Sequence, residues 1–148
     1  YRELCRWMKL VIREVIAVKK RVVAYMRDSK EEREKKFEKY SIERQIERLK
    51  TYAENQQWTE VKIFTDTEYS GSDMERPALQ ELIAQIKDDQ VDVLLVDRMD
   101  RLSGSKHEMD NLLKLLSEHH CTLVCREEGI DTSDLAWKLI KKSGGMLS

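Results

Sequence analysis

Four apolar runs, each too short for a helix, recur along the chain at Val22–Met26, Val61–Thr65, Val91–Val96 and Cys121–Cys125. Between them lie segments with helical periodicity. Ser41 can cap a helix whose apolar positions are Ile42, Ile46, Leu49, Tyr52 and Ala53. Pro77 suits a first helical position, where a missing N–H costs nothing, and Leu79, Leu82, Ile83 and Ile86 follow at helical spacing. Met109, Leu112, Leu113 and Leu116 mark a third helix. A β-α-β-α-β-α-β order with crossovers of this length dictates a mainly parallel sheet with right-handed connections. The almost wholly apolar Val91–Val96 belongs in its middle, covered on both faces. One proline and five glycines leave too few tight turns for an all-β alternative.

The flanks are less regular. Residues 2–19 fit an amphipathic helix, with Leu4, Cys5, Trp7, Met8, Val11, Ile12, Val15, Ile16 and Val18 on one side and Arg2, Arg6, Lys9 and Arg13 opposite. Such a helix packs on its own domain or on a partner subunit; its basic polar face would also suit a membrane surface. Residues 28–40 are dominated by charge and read as a mobile loop or short helix, with Lys35-Lys36 in a solvated segment. A short last helix is expected over 135–142, ended by Gly144-Gly145.

At 148 residues the chain is one domain, large enough for a proper core. Its net charge of −1 hides an asymmetry. Residues 1–21 hold seven Lys/Arg against two Glu, about +5, and the remainder holds 20 against 26 acidic residues, about −6. Charge alone therefore gives the domain little non-specific grip on nucleic acid. Three cysteines form no even disulfide framework, which points to a reduced, cytoplasmic setting, and no signal peptide or membrane span is visible. Cys121 and Cys125 sit on one side of a strand with Leu123, so a buried structural role is expected despite the adjoining His119-His120; no metal site is assigned. Trp58 and Trp137 are expected in packing.

The chemistry-bearing residues collect just past the carboxyl ends of the strands, where open α/β sheets bind ligands. The first strand delivers Arg27 and Ser29. The second delivers Asp66, Ser70 and, across its loop, Arg76; the third delivers Asp97, Arg98, Asp100 and Arg101. Several arginines and a serine describe a phosphodiester site: guanidinium forks bind phosphate oxygens and stabilise the charge of the transition state, while the hydroxyl attacks phosphorus. A serine after a strand can also simply cap or turn. Neither G-x-G-x-x-G nor G-x-x-x-x-G-K-[ST] is present, and no G-x-S-x-G elbow or histidine triad appears.

Seven segments carry a specific resemblance: Tyr25-Met-Arg27-Asp-Ser29, Ser41-Ile-Glu-Arg-Gln45-Ile-Glu-Arg-Leu49, Asp66-Thr-Glu-Tyr-Ser70-Gly71, Glu75-Arg76-Pro77-Ala-Leu79, Asp92-Val-Leu-Leu-Val, Met99-Asp100-Arg101-Leu102-Ser103 and Gly129-Ile-Asp131-Thr132-Ser133. In these the chain resembles the catalytic domain of serine recombinases, the resolvase/invertase family, and most of all the large members from phages and mobile elements. The resemblance covers about residues 21–134. It implies an α/β, three-layer domain with a mainly parallel four- to five-stranded sheet flanked by helices. It also implies DNA as substrate, a dimer or tetramer, and no metal or nucleotide cofactor. Ser29 would attack the scissile phosphate to give a 5′-phosphoserine link and a free 3′-hydroxyl. Arg27, Arg76 and Arg101 match phosphate-binding arginines, Asp100 a carboxylate that moves a proton or orients an arginine, and Tyr25, Gln45, Asp66 and Ser70 supporting positions.

Two departures qualify that expectation. The family's Asp-Arg-Leu-Ser-Arg-Ser reads Asp100-Arg101-Leu102-Ser103-Gly104-Ser105 here, so one catalytic arginine is replaced by glycine, with Lys106 as a partial substitute at best. After Ser133 the sequence does not resemble the start of the family's long helix, and no helix-turn-helix or zinc module follows. The expected organisation is an amphipathic helix over 1–20, a catalytic domain over 21–134 and a short tail over 135–148, with a DNA-binding domain expected to be absent. A weakened enzyme is expected, with a non-catalytic oligomerisation or regulatory module as the alternative.

Overall fold

The computed structural model describes residues 2–18 and 20–134, with the side chains of 13–18 excepted. Helix α1 (Arg2–Val18) leads into strand β1 (Val22–Arg27). Helix α2 (Lys30–Glu34), a single 3₁₀ turn (Glu38–Tyr40) and helix α3 (Ile42–Asn55) follow. Then come β2 (Val61–Asp66), α4 (Pro77–Lys87), β3 (Val93–Val96), a second 3₁₀ turn (Met99–Arg101), α5 (Lys106–Glu118), β4 (Thr122–Cys125) and the short β5 (Ile130–Asp131).

The five strands form one sheet in the order β2-β1-β3-β4-β5. Its first four members run parallel, and β5 returns antiparallel, with Cys125 opposite Ile130. Alternation of side chains along the strands divides the core into two layers. Val23, Tyr25, Leu94, Val96, Leu123 and Cys125 meet Leu79, Leu82 and Ile86 of α4 and Met109, Leu112, Leu113 and Leu116 of α5. Val22, Ala24, Met26, Val93, Leu95 and Val124 meet Leu49 and Ala53 of α3, with Tyr52 and Trp58 alongside. The three layers expected from the sequence are thus present.

Local signals account for most of the boundaries. The Ser41 side chain accepts from the Arg44 N–H and starts α3, and Pro77 opens α4. The fifth strand has no apolar period of its own; pairing with β4 creates it, and the Thr132 hydroxyl accepts the Leu123 N–H beyond its end. Asp131 takes the Ser133 N–H at 2.9 Å, closing a turn. The helix expected over 135–142, with Trp137, lies outside the described residues.

Helix α1 departs from the expectation that it packs on its own domain. Along residues 2–12 its apolar side chains face solvent, with Leu4, Trp7 and Ile12 more than half exposed. It leads into the amino end of β1, at the opposite end of that strand from Arg27. Among the described residues, no helix is long and apolar enough to cross a membrane.

Cys121 and Cys125 are buried and Cys5 is exposed. Burial pushes the Cys121 thiol up to about 12 and that of Cys125 higher still. Since thiolate is the reactive form, a thiol reagent at neutral pH is expected to label Cys5 rapidly in the native protein and all three cysteines only after denaturation. Rapid native labelling of Cys125, read by mass spectrometry, would contradict this core.

Candidate active site

Strand order creates the site. β1 lies between β2 and β3, and the connections leaving β1 and β3 cross to opposite faces, through α3 and α5, so their carboxyl ends form a switch point, where open α/β sheets bind ligands. Three loops converge there. Residues 28–32 follow β1, residues 67–76 follow β2, and residues 97–104 follow β3, with Arg27 and Asp66 as the last residues of their strands. Ser29, Arg27, Asp66, Arg76, Asp100 and Arg101 are all carried on this one edge of the sheet, as the sequence led one to expect.

The three guanidinium groups do not surround an open space. They are turned inward onto the 100–102 backbone. Arg27 donates to the carbonyls of Arg101 (3.2 Å), Tyr69 (2.8 Å) and Asp100 (2.9 Å). Arg76 donates to the same Arg101 carbonyl at 3.1 Å and to that of Leu102. Arg76 is fully buried, with its guanidinium 5.7 Å from the centre of the Tyr25 ring. Arg76 thus faces backbone carbonyls and the Tyr25 ring rather than an open space. A buried guanidinium favours local partners for its N–H groups, and here the two terminal nitrogens find them by clamping the loop that presents Asp100 and Arg101. Its Nε remains without a partner.

Burial, followed by the charges of Arg101 and Arg76, lowers the Arg27 pKa to about 10. Burial also lowers Arg76, partly offset by the nearby Tyr25 and Asp66. Arg101 moves the other way. Burial disfavours its charge, but hydrogen bonds and charge from Glu32 and Asp100 outweigh that. Its Nε donates to Asp100 (3.1 Å), and its terminal nitrogens donate to both oxygens of Glu32 at 2.9 Å and to the Arg27 carbonyl at 2.9 Å. The guanidinium lies 4.7 Å from the centre of the Tyr40 ring, a cation–π distance.

Ser29 is both a strand-end serine and a helix cap. Its Oγ accepts the Glu32 N–H at 3.1 Å, and its own N–H donates to the Glu32 carboxylate at 2.9 Å. This reciprocal capping box starts α2. Glu32 thereby joins the serine to Arg101.

Asp28, adjacent to Ser29, accepts the Glu68 N–H at 2.7 Å and fixes the loop after β2. That loop passes so close that a Cβ on Gly71 would sit 3.1 Å from the Arg27 guanidinium, a tight contact that a side chain there could make only by shifting the arginine.

The supporting residues divide. Tyr25 donates to Asp66 at 2.6 Å, and Asp66 also accepts the N–H groups of Ala78 (2.9 Å) and Leu79 (3.0 Å) at the start of α4. Burial, then the bond to Asp66, pushes the Tyr25 phenol far up, so it stays a donor. Gln45 brackets the end of β1, accepting from the Arg27 N–H and donating to the Arg27 carbonyl (2.9 Å) and the Tyr40 carbonyl (2.7 Å). Ser70 is exposed, and its hydroxyl lies 2.9 Å from that of Ser72 rather than against the arginines.

Asp97 separates from the group, and Arg98 meets it only through Asp100. Asp97 is buried between Arg48 (2.8 Å) and Arg126 (2.6 Å), and Arg98 pairs with Asp100 and Glu127. Sequence reading missed Glu32, Asp28 and Tyr40. For Glu32 a signal existed, since Ser29-x-x-Glu32 has the capping-box spacing.

Comparison with known proteins agrees with this architecture. The family model described as the resolvase N-terminal domain matches residues 22–146. The N-terminal catalytic domain of TP901-1 integrase is 34% identical, with a TM-score of 0.74 over 84% of this chain and 90% of that one. A resolvase family site-specific recombinase from Streptococcus pneumoniae is 26% identical, with a TM-score of 0.66 over 85% and 86% of the two chains. Uncharacterized immunity region protein 3 of Bacillus phage phi105 is 40% identical over 68 residues, 46% of this chain and 80% of that protein. With most of its length matched by the family model and its sheet matched by solved catalytic domains, the chain belongs to the resolvase family of serine recombinases.

Proposed function

We propose that this is the catalytic domain of a site-specific DNA recombinase that cleaves and rejoins DNA through Ser29. The observation that carries the reading is that Arg27 and Ser29 at the end of β1, Arg76 before α4 and Arg101 after β3 meet at the carboxyl end of β1, where Arg27 and Arg76 share the Arg101 carbonyl and Arg101 bonds the Arg27 carbonyl. In the first step the Ser29 Oγ–phosphorus bond forms as the bond from phosphorus to the 3′-oxygen breaks. The serine proton passes to an acceptor, and the departing 3′-oxygen takes up a proton. Asp100, 3.1 Å from Arg101 Nε and partly exposed, is placed to orient that arginine or to carry a proton. Guanidinium groups supply the charge stabilisation that metals give elsewhere. Because the phosphoserine conserves the energy of the phosphodiester bond, rejoining requires no nucleotide.

DNA and further copies of the chain are the partners in this reading. Residues 21–134 form its catalytic unit, and helix α1 stands apart from it. The non-catalytic alternative is not favoured, since each expected side chain of the site other than that at position 104 is present.

The test is capture of covalent protein–DNA complexes on a nicked DNA library under denaturing conditions. The wild-type protein is expected to form an adduct slowly, and Ser29→Ala to form none. An adduct that persists in Ser29→Ala would remove the reading.

A further inference from the structure

Arg101 has five N–H groups, and four are already engaged: one by Asp100, one by the Arg27 carbonyl and two by Glu32. The Glu32 carboxylate holds the two-pronged face of the fork, at 2.9 Å on each side, in the geometry that two oxygens of a phosphate would require. Its Oε1 also receives the Ser29 N–H. The Arg101 side chain is only 4% exposed, so a second anion cannot approach that face while Glu32 remains. Beside Glu32 lies a cavity of about 320 Å³, lined by Arg33 and Lys36 together with Asp28, Glu38 and Glu43, with room for the displaced side chain.

We propose that Glu32 is a positioning residue of this site: in the free protein it occupies the anion seat of Arg101 beside Ser29, and substrate phosphate takes that seat by displacing it. This rests on the recombinase reading for the identity of the substrate, but the competition itself is a property of the chain. While seated, Glu32 keeps Arg101 aligned and holds Ser29 in its cap. When it leaves, the fork and the Ser29 N–H are freed together, and the serine cap keeps only the bond from the Glu32 N–H to its hydroxyl.

Glu32→Gln separates the charge from the fold, because glutamine at the third helical position still completes a capping box. Inorganic phosphate is titrated into the intact protein while the Nε–Hε resonances of its arginines are followed by NMR. Phosphate is expected to bind Glu32→Gln about tenfold or more tightly than wild type, the scale of one charge-assisted hydrogen bond, and to move the Arg101 signal. Equal affinity in both proteins, or binding that leaves Arg101 unmoved, overturns the proposal.

If Glu32→Gln does not fold, wild type carries the test. Phosphate must then move the Glu32 carboxyl carbon in step with Arg101 Nε, and a response at Arg101 alone overturns it. The two readings fail separately. A Ser29-dependent DNA adduct without phosphate competition leaves the recombinase and removes the seat, whereas competition without an adduct does the reverse.

Discussion

Replacing Gly104 by arginine is expected to speed formation of the Ser29–DNA adduct by roughly 10²-fold or more. One preorganised donor in a charge-stabilising site is worth about 10²–10³ in rate, and arginines in phosphoryl transfer reach about 10³–10⁵. The position is ready to receive the side chain. Gly104 is exposed, its backbone is not in the left-handed region, and a Cβ there meets nothing within 4 Å. Its N–H reaches toward the Gly71 carbonyl, on the loop that touches the Arg27 guanidinium, so a side chain at 104 starts beside the crevice. As an exposed substitution it should leave stability within about 0.5 kcal/mol. Gly104→Ala gives the same backbone without the guanidinium and should gain nothing. Gly104→Lys supplies charge without the fork and should gain less than arginine. Adduct rates for the three variants, measured on one DNA, decide the matter. Equal rates for Ala and Arg would mean that position 104 does not contribute to chemistry in this chain.

How much of this was legible beforehand depended on where each determinant sits in the chain. β1, β3 and α3 carry their own period and caps, so local sequence sufficed. β5 has two residues and exists because β4 offers an edge; no window of sequence contains that information. Helix α2 was obscured by composition. Its run of charges suggests solvated chain, and only the reciprocal bonds of Ser29 and Glu32 define it. The placement of site residues on one sheet edge followed from strand order, but their orientation did not. Asp97 finds partners 49 and 29 residues away, Arg48 and Arg126, and so leaves the cluster that its position in sequence suggested. Arginine is almost never fully buried, and nothing near Arg76 in sequence announces that it will be. Its burial arises because α4 and the 100–102 loop close over it from two directions.

That burial makes Asp66 the residue on which the back wall of the site depends. Asp66→Ala is expected to cost about 3–5 kcal/mol, lowering the midpoint of thermal unfolding by on the order of 10 °C. Three donors converge on its carboxylate: the Tyr25 hydroxyl and the first amides of α4 at Ala78 and Leu79. Hydrogen bonds to a charged acceptor are worth about 1.5–3 kcal/mol each, and donors left buried without a partner add their desolvation. Asp66 also offsets the buried positive charge of Arg76, which has carbonyls but no carboxylate as hydrogen-bond partners. Tyr25→Phe removes only one of the three bonds and should cost about 1.5–3 kcal/mol. Asp66→Asn, with one carbonyl oxygen and no charge, should fall between the two. Denaturant unfolding of the three variants orders them. If Asp66→Ala cost no more than Tyr25→Phe, the carboxylate would not be what seats α4, and Arg76 with it, against the end of β1.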